Sequence, residues 1–335
     1  MDEALVTSNT QDAPVAEGAR AARGKDLLRM LRPHQWVKNL FVLAPMFFHR
    51  DVVLATSAGP ALNLAVSGRA LGATAVFCLL AGAVYTVNDL VDVSADRAHP
   101  VKRHRPIASG VVPEGLARTM AAILVAAALA GAASLSTGVL LAAVVYFAQN
   151  LAYSFKLKHV PFVDVSLISL GFVLRVLAGG WATGVHVSSY MVACTGLLAL
   201  FLGFGKRRHE ISTANAVKQR AALERYSPRA LDAALAVTGT ATAVCYVAYT
   251  LDAGTRAFFQ SDALWLTAPF VIFGIVRFLG LLGTGTENGA AGDPIDARGA
   301  ESPTEAMLRD VPFVLNLFLW VAAVVAIVYR LRPSV

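Results

Sequence analysis

The stretch YTVNDLVDVSADRAHPVKRHRPIASG, residues 85–110, crowds acid, amide and base at the edge of an apolar run. Asp89, Asp92 and Asp96 are spaced i, i+3 and i+7, which on a helix places all three on one face, with Tyr85 and Asn88 beside it. Three like charges on one face repel. Carboxylates at the C-terminal end of a helix also oppose its dipole, so a passive solvated helix end explains them poorly. Magnesium resolves the repulsion, because it takes hard oxygen ligands, commonly one or two carboxylates plus substrate phosphate oxygens. Asp89 and Asp92 are therefore the candidate catalytic metal ligands, with Asp96 assisting directly or through water, and a diphosphate is the expected ligand.

Lys102, Arg103 and Arg105 follow at once. Three further stretches add cations: RPHQWVKN (Arg32, His34, Lys38, Asn39), YSFKLKHVPFVD (Tyr153, Lys156, Lys158, Asp164) and GFGKRRHEIS (Lys206, Arg207, Arg208, His209, Glu210). Arg175 stands alone inside an apolar run, where an ionisable side chain is costly and points either to function or to an ion pair with a bundle carboxylate. One carboxylate motif serves one diphosphate. The remaining cations suit additional monophosphates, as point charges or bidentate forks. Phosphoribosyl diphosphate (PRPP) with a polyprenyl monophosphate is a substrate pair that would use all of these charges. Such an acceptor is already an anion, so no strong general base is needed, and none of the usual nucleophile–base pairs is evident.

The elements that must position these groups are membrane helices. The chain has 335 residues, 56% hydrophobic and 15% charged, against roughly 45–50% and about 25% in soluble domains. Apolar runs long enough to cross a bilayer fall near 36–52, 70–91, 116–134, 138–155, 162–181, 188–205, 230–250, 262–282 and 312–330, nine in all. Residues 25–35 resemble an amphipathic lead-in, with Leu27, Leu28 and Leu31 on its apolar side. Lys and Arg concentrate in the tail and in the segments 92–118, 156–160, 206–229 and 283–310, which predicts N-terminus in and C-terminus out, with the acidic motif on the cytoplasmic face. The expected organisation is a disordered tail over 1–24 and one transmembrane catalytic domain over 25–335. The domain contains a basic loop, 206–229, and a flexible Gly/Ala/Pro-rich loop, 283–310. Cys78, Cys194 and Cys245 lie in apolar segments and read as small buried hydrophobes. Short basic runs between membrane spans are poor nucleic-acid modules. A transporter would more often show internal repeats or broken mid-membrane helices. Small residues, as in AAILVAAALAGAA, permit close helix packing and a homo-oligomer without requiring one.

NDLVDVSAD matches NDxxDxxxD, the first aspartate-rich motif of the UbiA-type intramembrane prenyltransferase superfamily, and RPIASG resembles the loop that follows it there. Ordinary members carry a second acidic motif after the sixth span; here that position reads GKRRHE. RPHQWVKN, NDxxDxxxD, YSxxLK and GKRRHE together resemble the decaprenyl-phosphate phosphoribosyltransferase branch. The resemblance implies an all-α bundle of nine spans in the plasma membrane, with catalytic loops facing the cytoplasm. It implies magnesium, PRPP and decaprenyl phosphate, and a product that feeds lipid-linked arabinose for cell-wall arabinan. The candidate substrate-binding set read from these stretches is Lys38, Asn88, Lys102, Arg103, Arg105, Tyr153, Lys156, Lys158, Arg175, Lys206, Arg207, Arg208 and Glu210. Asn88 is expected at ribose hydroxyls or a metal-bound water. The alternative is a UbiA-type transferase acting on a prenyl diphosphate and an aromatic or lipid acceptor.

Overall fold

A computed structural model describes residues 23–47, 53–56, 59–212, 226–283 and 303–330. Helix α1 (Gly24–Leu31) leads into a 3-10 helix (Pro33–Leu43) and a single turn, α2 (Ala44–Phe47). A two-stranded antiparallel hairpin, β1 (Val53–Thr56) and β2 (Gly59–Leu62), pairs Val53 with Leu62 and is, among the described residues, the one pair of strands in an otherwise helical chain. Then come α3 (Leu64–Val91), α4 (Val93–Ala98), α5 (Glu114–Leu135), α6 (Thr137–Phe155), α7 (Val163–Thr183), α8 (Ser189–Ser212) and α9 (Pro228–Leu251). The chain closes with α10 (Ala253–Phe259), α11 (Ala268–Gly283), α12 (Pro303–Arg309) and α13 (Val311–Val325). Eight helices among the described residues are long and apolar enough to cross a bilayer.

The first expected span, 36–52, is described only to Phe47 and runs there as a 3-10 helix followed by one α-turn. Pro33 opens it, and Pro45, with no N–H to donate, prevents an ordinary α-turn back to Phe41. The 3-10 rise and the following turn together reach about 28 Å. The expected lead-in also differs. Met30 is fully buried, and Leu27 and Leu31 pack with Ile107, Val112 and Ala117, while Leu28 is exposed. α1 therefore covers the loop after the acidic motif instead of floating on lipid. It begins at Gly24, inside the segment expected to be disordered. Residues 303–309, expected within the flexible loop, form α12 because Met307 enters the core beside Phe278 and Leu281.

Two cores divide the bundle. One is built of small side chains from α3, α5, α6 and α7, including Ala73, Ala128, Ala143 and Ala178 around Phe77 and Leu80. The other is aromatic, with Phe201, Phe204, Tyr226 and Phe278 where α7, α8, α9 and α11 meet. The 3-10 helix lies directly on α7. A Cβ added at Gly179 would come 1.9 Å from the Val42 carbonyl oxygen. Only glycine allows that approach, and it fixes where Lys38 and Asn39 sit. At the opposite end of the bundle from the acidic motif, Arg69 donates to the carbonyls of Ala182 (2.6 Å) and Leu135 (2.8 Å), closing the C-terminal ends of α7 and α5. The cysteines are half-buried and not core residues. The Cys78 sulfur accepts from Asn39 Nδ2 (3.2 Å), and the Cys194 and Cys245 sulfurs stand 3.3 Å apart across α8 and α9.

Candidate active site

The three aspartates do not share one helical face. α3 ends at Val91, Asp92 takes a non-helical turn, and α4 carries Asp96 onward. The one-residue break sorts the carboxylates into two groups. Asp89 accepts from Arg32 Nη2 at 2.7 and 3.0 Å and from Arg105 Nη1 at 3.1 Å. The same Arg105 nitrogen reaches Asp96 at 2.6 Å. Asp92 instead pairs with Lys158 Nζ at 2.5 Å, and its other oxygen accepts from Asn88 at 3.2 Å. Asp89 and Asp96 are buried, whereas the Asp92 side chain is 29% exposed.

Asp89 and Asp96 thus face a common point, now held by a guanidinium nitrogen. Hard carboxylate oxygens converging on a position that already accepts positive charge fit magnesium, with phosphate oxygens completing its shell. Among the described residues, no three His, Cys, Asp or Glu side chains form a protein-only cage.

The basic segment on α8 is built differently. Arg207 donates to Asp164 on α7 (2.7 Å) and to Glu210 one turn away. Tyr226, just before α9, donates to the other Asp164 oxygen (2.5 Å) and accepts from the Phe162 N–H (2.6 Å). Burial and the Asp164 hydrogen bond push the Tyr226 phenol above its ordinary range, so it stays a donor. Arg207 and Asp164 are only 4% and 1% exposed. Arg208 turns to Asp232 on α9 (2.7 Å). Lys206 is exposed.

Arg175, expected either to work on substrate or to pair with a carboxylate, is held by neutral groups. It donates to Asn39 Oδ1, the Gly171 carbonyl and the Tyr146 hydroxyl, each at 2.8 Å. Its guanidinium also lies over the rings of Tyr146, Phe172 and Phe77. Among the described residues its hydrogen-bond partners include no carboxylate. Lys38 is exposed, and Lys206, Arg175 and Arg32 all lie within electrostatic range of it. Residues from the 3-10 helix, α7 and α8 so converge on one positive region beside the acidic pair.

Lys156 is exposed and Lys102 half-buried. Arg103 contacts its neighbour His104 (3.4 Å). Tyr153 is half-buried, within electrostatic range of Tyr85 and Arg207. Arg32, Asn39 and Asp164 sit in the quoted motifs, but their places as carboxylate partner, Arg175 clamp and Arg207 counter-ion required the fold. Tyr146 and Tyr226 carry no sequence signal.

A cavity of about 370 Å³ opens beside this region, lined by residues including Phe41, Ala44, Leu198, Phe201, Ile275 and Trp320. In a 3-10 helix, side chains three apart eclipse. Lys38, Phe41 and Ala44 therefore fall in one row, and the last two line the cavity. Lys38 lies one 3-10 turn before Phe41 in that row.

Comparison with known proteins places the chain among its relatives. The chain is 36% identical over 97% of its length to decaprenyl-phosphate phosphoribosyltransferase of Corynebacterium glutamicum, covering 94% of that protein. It is likewise 36% identical to the Mycobacterium tuberculosis protein of the same name, over 90% of this chain and 94% of that one. A UbiA homologue from Archaeoglobus fulgidus, solved with DMAPP and Mg2+, superposes with a TM-score of 0.63 at 18% identity, over 90% of this chain and 99% of that one. The model of the UbiA prenyltransferase family matches residues 42–291, which include the acidic motif, the Arg207 cluster and most of the cavity lining. On that match and those relatives, the chain belongs to the UbiA prenyltransferase family.

Proposed function

We propose that this chain transfers the 5-phosphoribosyl group of PRPP to decaprenyl phosphate. It releases pyrophosphate and leaves decaprenylphosphoryl-5-phosphoribose, a precursor of the lipid-linked arabinose donor for cell-wall arabinan. The observation that carries this reading is the pairing of one acidic site with a separate positive region. Asp89 and Asp96 converge for one metal–diphosphate, while Lys38, Lys206 and Arg175 gather beside them. A second acidic motif would have suited a second metal; the exposed Lys206 at that position suits a phosphate instead. The names of the curated relatives agree.

Asp89, Asp92 and Asp96 are the proposed magnesium ligands, with Asp89 and Asp96 the pair that already faces one point. When bound, magnesium supplies Lewis-acid neutralisation of charge on the departing pyrophosphate. The chain's own residues do the rest. Asn88, next to Asp89, is placed to bind ribose hydroxyls or a metal-bound water. Lys38 holds the lipid phosphate, because the polyprenyl tail can follow Phe41 and Ala44 into the apolar cavity. Lys156, Lys158, Lys206, Lys102 and Arg103 serve the ribose 5-phosphate. The acceptor oxygen attacks C1 opposite the leaving group, as oxocarbenium character develops, giving inversion and a β-linked product. Positioning and fixed charge carry the rate, since the nucleophile arrives already deprotonated.

In the membrane, the 3-10 helix and α2 would complete a ninth crossing, close to the roughly 30 Å hydrocarbon thickness. The N-terminus faces the cytoplasm, the C-terminus lies outside, and the acidic end of the bundle opens to cytoplasmic PRPP across the plasma membrane. The test is purified protein with radiolabelled PRPP and decaprenyl phosphate, with and without magnesium. The expected result is labelled lipid and pyrophosphate only when all three are present. Product from a prenyl diphosphate and an aromatic acceptor, with none from PRPP, would overturn the proposal in favour of the ordinary prenyltransferase reading.

A further inference from the structure

We infer that Arg32 and Arg105 are exchange residues: they neutralise Asp89 and Asp96 before a metal arrives, then pass to the diphosphate oxygens once the metal has taken the carboxylates. The inference rests on the reading above, that this acidic pair receives a metal–diphosphate.

Charge makes the exchange necessary. Asp89 and Asp96 carry two negative charges, and Arg32 and Arg105 carry two positive ones within 2.6–3.1 Å of them. That cluster is balanced as it stands. A bare dication entering it would meet two guanidinium groups at close range and carboxylate oxygens already engaged. A metal arriving with a diphosphate changes the balance, because the diphosphate brings negative oxygens that a guanidinium fork fits well. The cations then have somewhere to go.

Geometry makes it feasible. The carboxylates are 3–4% exposed, while the Arg32 and Arg105 side chains are 23% and 27% exposed, so the cations stand on the open side. Neither arginine is inside a helix. Arg105 follows a short 3-10 turn, Lys102–His104, in extended backbone. Arg32 joins α1 to the 3-10 helix with φ 51° and ψ 61°, the left-handed region that a side chain such as arginine seldom adopts. Strain of that kind persists where surrounding structure holds it for use. Here it turns the Arg32 side chain onto Asp89, with the guanidinium 5.2 Å from the centre of the Tyr85 ring, a face on which it can pivot without losing all its contacts. Arg207 offers the contrast. It lies inside α8, 4% exposed, and has no open side to move into.

Metal and diphosphate therefore help each other bind, and the arginines are the source of that coupling. The test is Mn2+ binding to the full-length protein, followed by electron paramagnetic resonance, with and without PRPP and with no lipid acceptor, so that no transfer to lipid can occur. Wild type should bind Mn2+ weakly alone and much more tightly with PRPP. Arg32→Gln and Arg105→Gln should each bind Mn2+ alone about fivefold more tightly or better, since one repelling charge is gone. Each should lose most of the PRPP enhancement. Arg97→Gln, whose partners are Glu114 and the Ala108 carbonyl, should match wild type. If both site variants keep native thermal stability and bind Mn2+ alone no better than wild type, the exchange is wrong. It is equally wrong if they gain Mn2+ affinity but keep the full PRPP enhancement. If wild type binds Mn2+ but never PRPP, while the variants gain Mn2+ affinity, the donor assignment falls and the competition between arginine and metal stands.

Discussion

The α3–α4 junction and the α7–α8–α9 contact both pair aspartate with arginine at the same end of the bundle, yet they are built for opposite purposes. At the junction the acids are buried and their cations half-exposed, so the positive partners can be replaced. At the α7–α8–α9 contact both Asp164 and Arg207 are buried, and Glu210, Tyr226 and the Phe162 N–H complete the network. On the proposed function, the first receives another cation, whereas the buried ion pair of the second ties helices together. Ionic composition alone does not separate a binding site from a structural tie; exposure of the counter-charge does.

Four substitutions would break or sharpen this contrast. Asp89→Asn should cut pyrophosphate release from PRPP about a thousandfold, the scale of losing a group that stabilises transition-state charge, while thermal unfolding shifts little because Arg32 and Arg105 can turn to water. A large loss of fold with normal specific activity in the remainder would make the junction a lock as well. Arg207→Met should do the reverse. It strands Asp164 and costs about 3 kcal/mol of stability, read as a lower unfolding temperature in detergent, with PRPP affinity of the folded fraction unchanged. A raised PRPP KM at native stability would instead place Arg207 on substrate. Tyr226→Phe removes one hydroxyl that serves two partners and should cost about 1–2 kcal/mol, seen in the same unfolding measurement. Lys158→Gln should be the mildest for stability, within about 1 kcal/mol for a partly exposed pair, but should raise the KM for PRPP several-fold.

The helices were legible because membrane spans announce themselves by apolar length, and the acidic motif because its spacing is costly without a cation. The break at Asp92 was not legible. No glycine or proline marks it, and spacing alone placed Asp92 on the same face as Asp89. The roles of the arginines were hidden for a different reason. Lys and Arg cluster on one side of any membrane protein of this kind, so Arg32, Arg105, Arg207 and Arg208 look alike in sequence. Asp164 and Arg207 are 43 residues apart and Arg32 and Asp89 are 57 apart; only packing shows which acid each base meets. Arg175 could be flagged by its depth, but Asn39 and Tyr146, which hold it with neutral groups, could not. The same holds for the 3-10 helix. Pro33 and Pro45 bracket it, yet the contact that seats it, Gly179 against the Val42 carbonyl, joins residues far apart in the chain.

The most direct test of the contrast is a cryo-electron microscopy structure of the protein with magnesium and PRPP. The account predicts metal density between Asp89 and Asp96, the diphosphate held by Arg32 and Arg105 swung away from those carboxylates, and Arg207 still on Asp164. Diphosphate density on Arg207, with Arg32 and Arg105 still paired to Asp89 and Asp96, would contradict it.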